Sequence, residues 1–179
     1  RGDGKPMGDL FDHMVIGASI SSLTKRGFLV PCETIGPDRY LNGDIAKDPI
    51  ETWQEYARAG GQGGPLGCGE STIAFLRTVK DAGELAEKFR AIGVTAEVIS
   101  EKTKAHQRAS FISRFKTGEL TVLTSVDTLT EGFDAPIASC CILGRAVGSP
   151  RLFIQMGGRV LRPFPGKSRA LMLDLSGSV

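Results

Sequence analysis

Histidine is scarce in this chain, cysteine is unpaired and long apolar runs are missing, and each lack excludes a kind of chemistry. The two histidines, His13 and His106, have no Cys or carboxylate neighbour at metal-ligand spacing. Both are read as surface or helix positions, and no metal site is expected. The four cysteines, Cys32, Cys68, Cys140 and Cys141, form no C-x-x-C pair. Neither a zinc ribbon nor a disulfide framework fits, which leaves free thiols used as small apolar side chains in a reducing, cytoplasmic setting. No apolar run approaches the roughly 18 residues needed to span a bilayer, so no membrane role is expected. The opening Arg1-Gly2-Asp3-Gly4-Lys5-Pro6 has neither an initiator Met nor an apolar signal region. A piece of a longer protein is expected.

Also missing is a phosphate loop of the usual kind. Gly64-Pro65-Leu66-Gly67-Cys68-Gly69-Glu70-Ser71 follows G-x-x-x-x-G-K-[ST] except that Glu70 stands where the Lys belongs. A carboxylate there repels phosphate, and the segment precedes a strand where it should follow one. Gly166-Lys167-Ser168 lacks the earlier glycine and also runs into a strand, so it reads as a turn. No Walker A and no acidic Walker B motif is present.

What the chain does have is 179 residues, 41% of them apolar, enough for one domain with a sizeable core and a short extension. Net charge is only +2, yet residues 1–100 hold 11 basic and 14 acidic groups while residues 101–179 hold 11 and 6. The surplus in the second part is a weak pointer to a polyanion, because solvated helix lysines account for much of it. Lys102, Lys104 and Arg108 are read as such a solvated helix start.

Two short helix-like pieces occupy Gly8 to Arg26, broken near Gly17, and Phe28-Leu29-Val30 begins a strand. Pro49 to Ala57 reads as a helix with Asp48 as N-cap and Pro49 at its first position. Trp53 and Tyr56, three apart, are expected to pack that helix onto the domain. Gly60 to Gly69 holds six glycines, predicting a loop. Strands are then expected at Thr72–Leu76, Ala96–Ile99, Leu120–Thr124, Cys140–Leu143 and Ala170–Leu173. Helices are expected at Lys80–Ile92, Lys104–Lys116 and Pro150–Leu161. Apolar strands alternating with helices specify an α/β fold, a parallel sheet covered on both faces. Ligands in such sheets are expected at the carboxyl ends of the strands, where Thr124, Ser125, Asp127, Arg145 and Ser149 fall.

The densest chemistry lies in Gln155-Met156-Gly157-Gly158-Arg159-Val160-Leu161-Arg162, a Q-x-x-G-R-x-x-R run. If helical throughout, it puts Arg159 and Arg162 on one face with Gln155 a turn earlier. Guanidinium forks stay charged and grip phosphoryl oxygens bidentately, so this is a phosphate-facing edge. About twenty residues upstream lies Thr130-Glu131-Gly132-Phe133-Asp134-Ala135-Pro136. There Asp134 can accept from ribose hydroxyls, or the segment is simply a turn with Asp and Gly chosen for turn chemistry.

Taken together, these stretches resemble superfamily 2 helicases of the DEAD/DEAH type, specifically their C-terminal RecA-like lobe, and among them the RadD-like and phage-type DNA helicases. The resemblance is sharpest from Ser71 onward. Ile73 to Leu76 looks like motif IV, Val122 to Pro136 like motif V, and Gln155 to Arg162 like motif VI, in order and at suitable distances. The ending Leu171 to Gly177 is similar too.

The resemblance implies a RecA-like, three-layer lobe of the P-loop NTPase type without its own Walker A motif. It spans 28–179, with 1–27 as the connection from an N-terminal RecA-like lobe and 60–69 as a flexible Gly-rich loop. It further implies that Arg159 and Arg162, led by Gln155, reach ATP phosphates across a cleft, and that Gly132, Asp134 and Gly158 line the nucleotide. Arg77, Thr124, Ser125 and Thr130 become weaker candidates for phosphodiester contacts. Val126 stands where many members have a Thr that touches the strand. ATP and Mg2+ would be held mainly by the N-terminal lobe. DNA is the expected partner and RNA the alternative. A translocase lobe of a restriction or repair complex, and a non-catalytic binding or assembly module, are the competing readings.

Overall fold

The computed structural model describes residues 17–37, 47–58, 71–126 and 134–177. Six strands form one sheet: β1 (Cys32–Ile35), β2 (Thr72–Leu76), β3 (Ala96–Ile99), β4 (Val122–Ser125), β5 (Cys140–Gly144) and β6 (Ala170–Asp174). They are ordered β1-β6-β5-β2-β4-β3, and every pairing is parallel. The helices are α1 (Ile20–Lys25), α2 (Pro49–Trp53), which continues as a π-helical turn over Gln54–Arg58, α3 (Val79–Ala91), α4 (Ala105–Thr117) and α5 (Pro150–Gly157). No helix among the described residues is long and apolar enough to cross a membrane.

The pleat divides the core into two layers, because successive side chains on a strand point to opposite faces. Ile73, Phe75, Leu123, Cys141, Leu143 and Met172 face one cluster, which Phe115 of α4 and Met156 of α5 complete. Ala74, Leu76, Val122, Cys140, Ile142, Leu171 and Leu173 face the other, completed by Trp53 of α2 and Phe89 of α3. The central strands are buried on both faces, which explains their unbroken apolar runs. Burial also pushes the Cys141 thiol well above its ordinary range, so it acts as a small apolar group.

Local chemistry sets most element ends. The Asp48 side chain accepts from the Ile50 and Glu51 N–H groups ahead of Pro49, and Lys88 donates to its other oxygen at 2.9 Å. Thr78 and Asp81 form a capping box at the start of α3. Trp53 does pack the α2 helix onto the domain: it is fully buried, meets Phe89 edge to face and donates from Nε1 to Thr72 Oγ1 at 2.8 Å.

Three expectations shift. β1 begins at Cys32 rather than Phe28, since Pro31 has no N–H to offer a ladder. The Val30 N–H instead donates to Leu161 O at 2.9 Å. β4 starts at Val122, two residues later than expected. Most consequentially, α5 stops at Gly157, and tighter i→i−3 bonds from Arg159 to Met156 and from Val160 to Gly157 follow it. Arg159 and Arg162 therefore lie beyond the α-helix, in the turns that follow it. The glycine pair, poor in helix propensity, accounts for the break.

Candidate functional site

The Q-x-x-G-R-x-x-R segment is delivered to the amino-terminal edge of the sheet. α5 starts after the carboxyl end of β5 and runs back along it. Eight helical residues cover about 12 Å, close to the roughly 16 Å of a five-residue strand, so the helix ends near where the strands begin. Backbone bonds fix that location. Ala170 donates to Pro31 O and Leu171 to Ser139 O, both at 2.7 Å, while Ser139 donates to Ser71 O at 2.8 Å. Leu161, between the two arginines, is tied to the same edge through Val30.

Close packing is what lets α5 end there. A Cβ on Gly157 would overlap Met172 Cε of β6, and one on Gly158 would sit 2.6 Å from the Ile154 carbonyl oxygen. The two glycines thus set the approach of the helix end to the sheet and the tight turn beyond it. Gln155 is half-buried on the last turn of α5, and Arg159 is half-buried just past it.

Arg162 and Asp134 form an ion pair, their side chains 43% and 63% exposed. Residues 28 apart in sequence, from the two segments singled out for phosphate and ribose chemistry, thereby meet at one place. Lys167 lies beside them, with Nζ 3.2 Å from Pro136 O, 2.6 Å from Ala138 O and 2.8 Å from Arg162 O. In the sequence this lysine reads only as part of a turn. Only its long-range carbonyl partners reveal it, and no local pattern carries that signal.

The residues singled out for ligand contact divide between the two ends of the strands. Arg77, exposed after β2, and Arg145, half-buried after β5, lie at the carboxyl ends. Asp134 and the arginine turn lie at the opposite edge, because α5 carries its C-terminal end backwards. Thr124, expected as a strand contact, is fully buried, and its hydroxyl donates to Ala82 O of α3 at 2.9 Å. Its side chain is a strut in the core. Ser125 is likewise fully buried at the end of β4. Asp127, Thr130 and Gly132 lie outside the described residues, as do His13, Cys68 and the 60–69 stretch.

The donor set at the amino edge suits a phosphoryl anion: two arginines three residues apart beyond α5, with the Arg162 side chain 43% exposed. A six-stranded, all-parallel sheet of this order flanked by helices is a RecA-like lobe, as in the solved C-terminal lobes of helicases it superposes on. The family model for the helicase conserved C-terminal domain matches residues 66–163, more than half of the chain, and the chain belongs to that family.

A 51.5 kDa protein of a Lactococcus phage (isolate 7-9) is 27% identical over 191 residues, covering 97% of this chain and 40% of that protein. The putative ATP-dependent helicase IRC3 of Saccharomyces cerevisiae is 33% identical over 150 residues, covering 84% of this chain and 20% of its own length. A fragment structure of a putative HsdR subunit of a type I restriction enzyme from Vibrio vulnificus YJ016 superposes with a TM-score of 0.63. It is 21% identical and covers 88% of this chain and 34% of that one, a likeness of fold. The chain thus spans less than half the length of these curated relatives.

Proposed function

We infer that the chain is the second motor lobe of an ATP-dependent DNA helicase or translocase, supplying arginines to ATP bound on an N-terminal RecA-like lobe of the same protein. The observation that carries this reading is the meeting of Asp134 with Arg162 at one edge. Phosphoryl transfer needs little covalent help and much charge stabilisation, and an arginine brought from a second element raises the rate roughly 10³- to 10⁵-fold. Arg162, with its fork exposed, is the leading candidate for that task, and Arg159, half-buried one turn earlier, is the second. In this reading Asp134 holds Arg162 while the lobes are apart. It turns to the ribose hydroxyls when phosphate takes over the guanidinium. Gln155, Gly132 and Gly158 complete the nucleotide-facing surface, with Gly158 acting through the turn it permits.

ATP supplies the driving reaction, and Mg2+ sits with it, chiefly on the N-terminal lobe. Arg77 at the carboxyl edge is the candidate for a phosphodiester contact, and Thr130 is a further candidate from the sequence. Such contacts go to phosphates and carry little sequence information. The choice of DNA follows the sequence resemblance to RadD-like and phage-type DNA helicases.

The test is nucleic-acid-stimulated ATP hydrolysis by the full-length protein, wild type against Arg159→Ala and Arg162→Ala, with single-stranded DNA and RNA in parallel. Turnover with DNA, and a loss of about 10²-fold or more in either variant while ATP still binds, upholds the reading. Two variants as active as wild type remove the arginine assignment. An inert wild type favours a binding or assembly module.

A further inference from the structure

The three carbonyl oxygens around Lys167 belong to two segments distant in sequence. Pro136 O and Ala138 O follow Asp134, while Arg162 O ends the arginine turn. An ammonium has three N–H donors and no acceptor, so these oxygens match its capacity. Among the described residues, the Arg162–Asp134 ion pair also joins these two segments, but it is exposed. Exposed pairs contribute little, whereas a half-buried ammonium bound to main-chain oxygens fixes the backbone itself.

The route back to Arg162 is stiff. Pro163 and Pro165 have fixed φ, Phe164 packs against the core, and Lys167 N donates to Phe164 O at 3.0 Å. Gly166, at φ 80°, makes the bend. A planar guanidinium cannot send three donors in a tripod to three oxygens, so shape as well as charge is specified here.

We propose that Lys167 is a positioning residue for the arginine turn: it ties that turn to the 134–138 segment so that Arg162 stays opposite Asp134. The proposal rests on the arginine reading given above and deepens it. Lys167 acts through Arg162 and touches no nucleotide.

The experiment uses the full-length protein with Lys167→Met and Lys167→Arg, each alone and combined with Arg162→Ala, followed by hydrogen exchange and by DNA-stimulated ATP turnover. Lys167→Met is expected to speed exchange in peptides spanning 134–138 and 158–166 while those from β2 and β4 keep their protection. Turnover falls roughly 10- to 100-fold with a smaller change in KM for ATP, as for a misplaced catalytic group. Lys167→Arg recovers little, and Lys167→Met adds no further loss once Arg162 is gone.

Unchanged exchange in both segments overturns the clasp whatever the turnover. Wild-type turnover in Lys167→Arg overturns the tripod, and a full extra loss in the Arg162→Ala background overturns action through Arg162. If the wild type is inert, or Arg162→Ala matches it, the arginine reading fails on its own evidence and the positioning role falls with it. The exchange result still shows whether the two segments are joined.

Discussion

The two edges of the sheet are built differently. At the carboxyl edge, groups such as Arg77 and Arg145 follow directly from strand ends, and the partners there are near in sequence or on neighbouring strands. Asp174, for instance, accepts from Ser176 N at 3.1 Å, and the single Ser176 hydroxyl proton has two acceptors within 2.9 Å, Asp174 Oδ1 and Arg145 O. At the amino edge, the arginine turn depends on a helix running the length of the sheet, a glycine pair against Met172, a stiff proline turn and a lysine that reaches across to 134–138. A strand end holds its side chain wherever the strand goes. A turn assembled from separate segments holds its side chains only if several packing conditions are met at once, so it is the more easily disturbed edge.

Substitutions should separate the edges. The largest expected effect is at the amino edge: Arg162→Ala lowers DNA-stimulated ATP turnover about 10³-fold with DNA affinity nearly unchanged, as read by steady-state kinetics beside a binding titration. Comparable loss of DNA affinity in that variant would merge the two edges into one surface.

Gly157→Ala comes next. Its methyl group meets only the flexible thioether end of Met172, which can swing aside, so a loss of about 1 kcal/mol or less is expected in urea unfolding, with turnover little changed. A loss well beyond that would mean that Met172 has nowhere to go and the helix end is displaced instead.

Arg77→Ala tests the carboxyl edge. DNA affinity drops several-fold, and the slope of log affinity against log salt decreases by about 0.7 for a single-stranded site, with turnover at saturating DNA kept. An unchanged salt slope would remove Arg77 from the strand path.

The smallest effect lies away from both edges. Burial raises the Asp48 carboxyl, but the Lys88 hydrogen bond and the Ile50 and Glu51 N–H groups outweigh it, so its folded pKa lies below the ordinary 3.8. Its stabilisation is therefore complete above pH 3.8 and is lost as pH falls through the folded value. Asp48→Asn still caps α2 but cannot titrate, so the variant should differ from wild type by a few tenths of a kcal/mol at neutral pH. That difference should shrink on acidification, which thermal melts at several pH values would follow. A constant gap would show that the carboxylate charge does nothing there.

Much of the fold was legible because its signals are local. The strands at Thr72–Leu76 and Ala96–Ile99 match their expected bounds, and Asp48, Pro49 and Thr72–Leu76 declare themselves through cap chemistry and an unbroken apolar run. The errors fall where a tertiary partner overrides a local pattern. Val30 leaves the strand ladder to bond Leu161, and the apolar spacing of Pro150–Leu161 continues past the point where Gly157 and Gly158 end the helix. Thr124 looks like a strand contact until Ala82 O claims its hydroxyl.

The sequence by itself determined the α/β class, the two-faced burial of the central strands and the residue types suited to phosphate, since these rest on periodicity and side-chain chemistry within a few residues. Only the tertiary structure decided that Asp134 meets Arg162 at the amino edge, and that the lysine of an apparent phosphate-loop remnant binds three carbonyls. Those contacts span up to 31 residues, and their geometry follows from how a helix of given length packs across a sheet, which no short stretch of chain encodes.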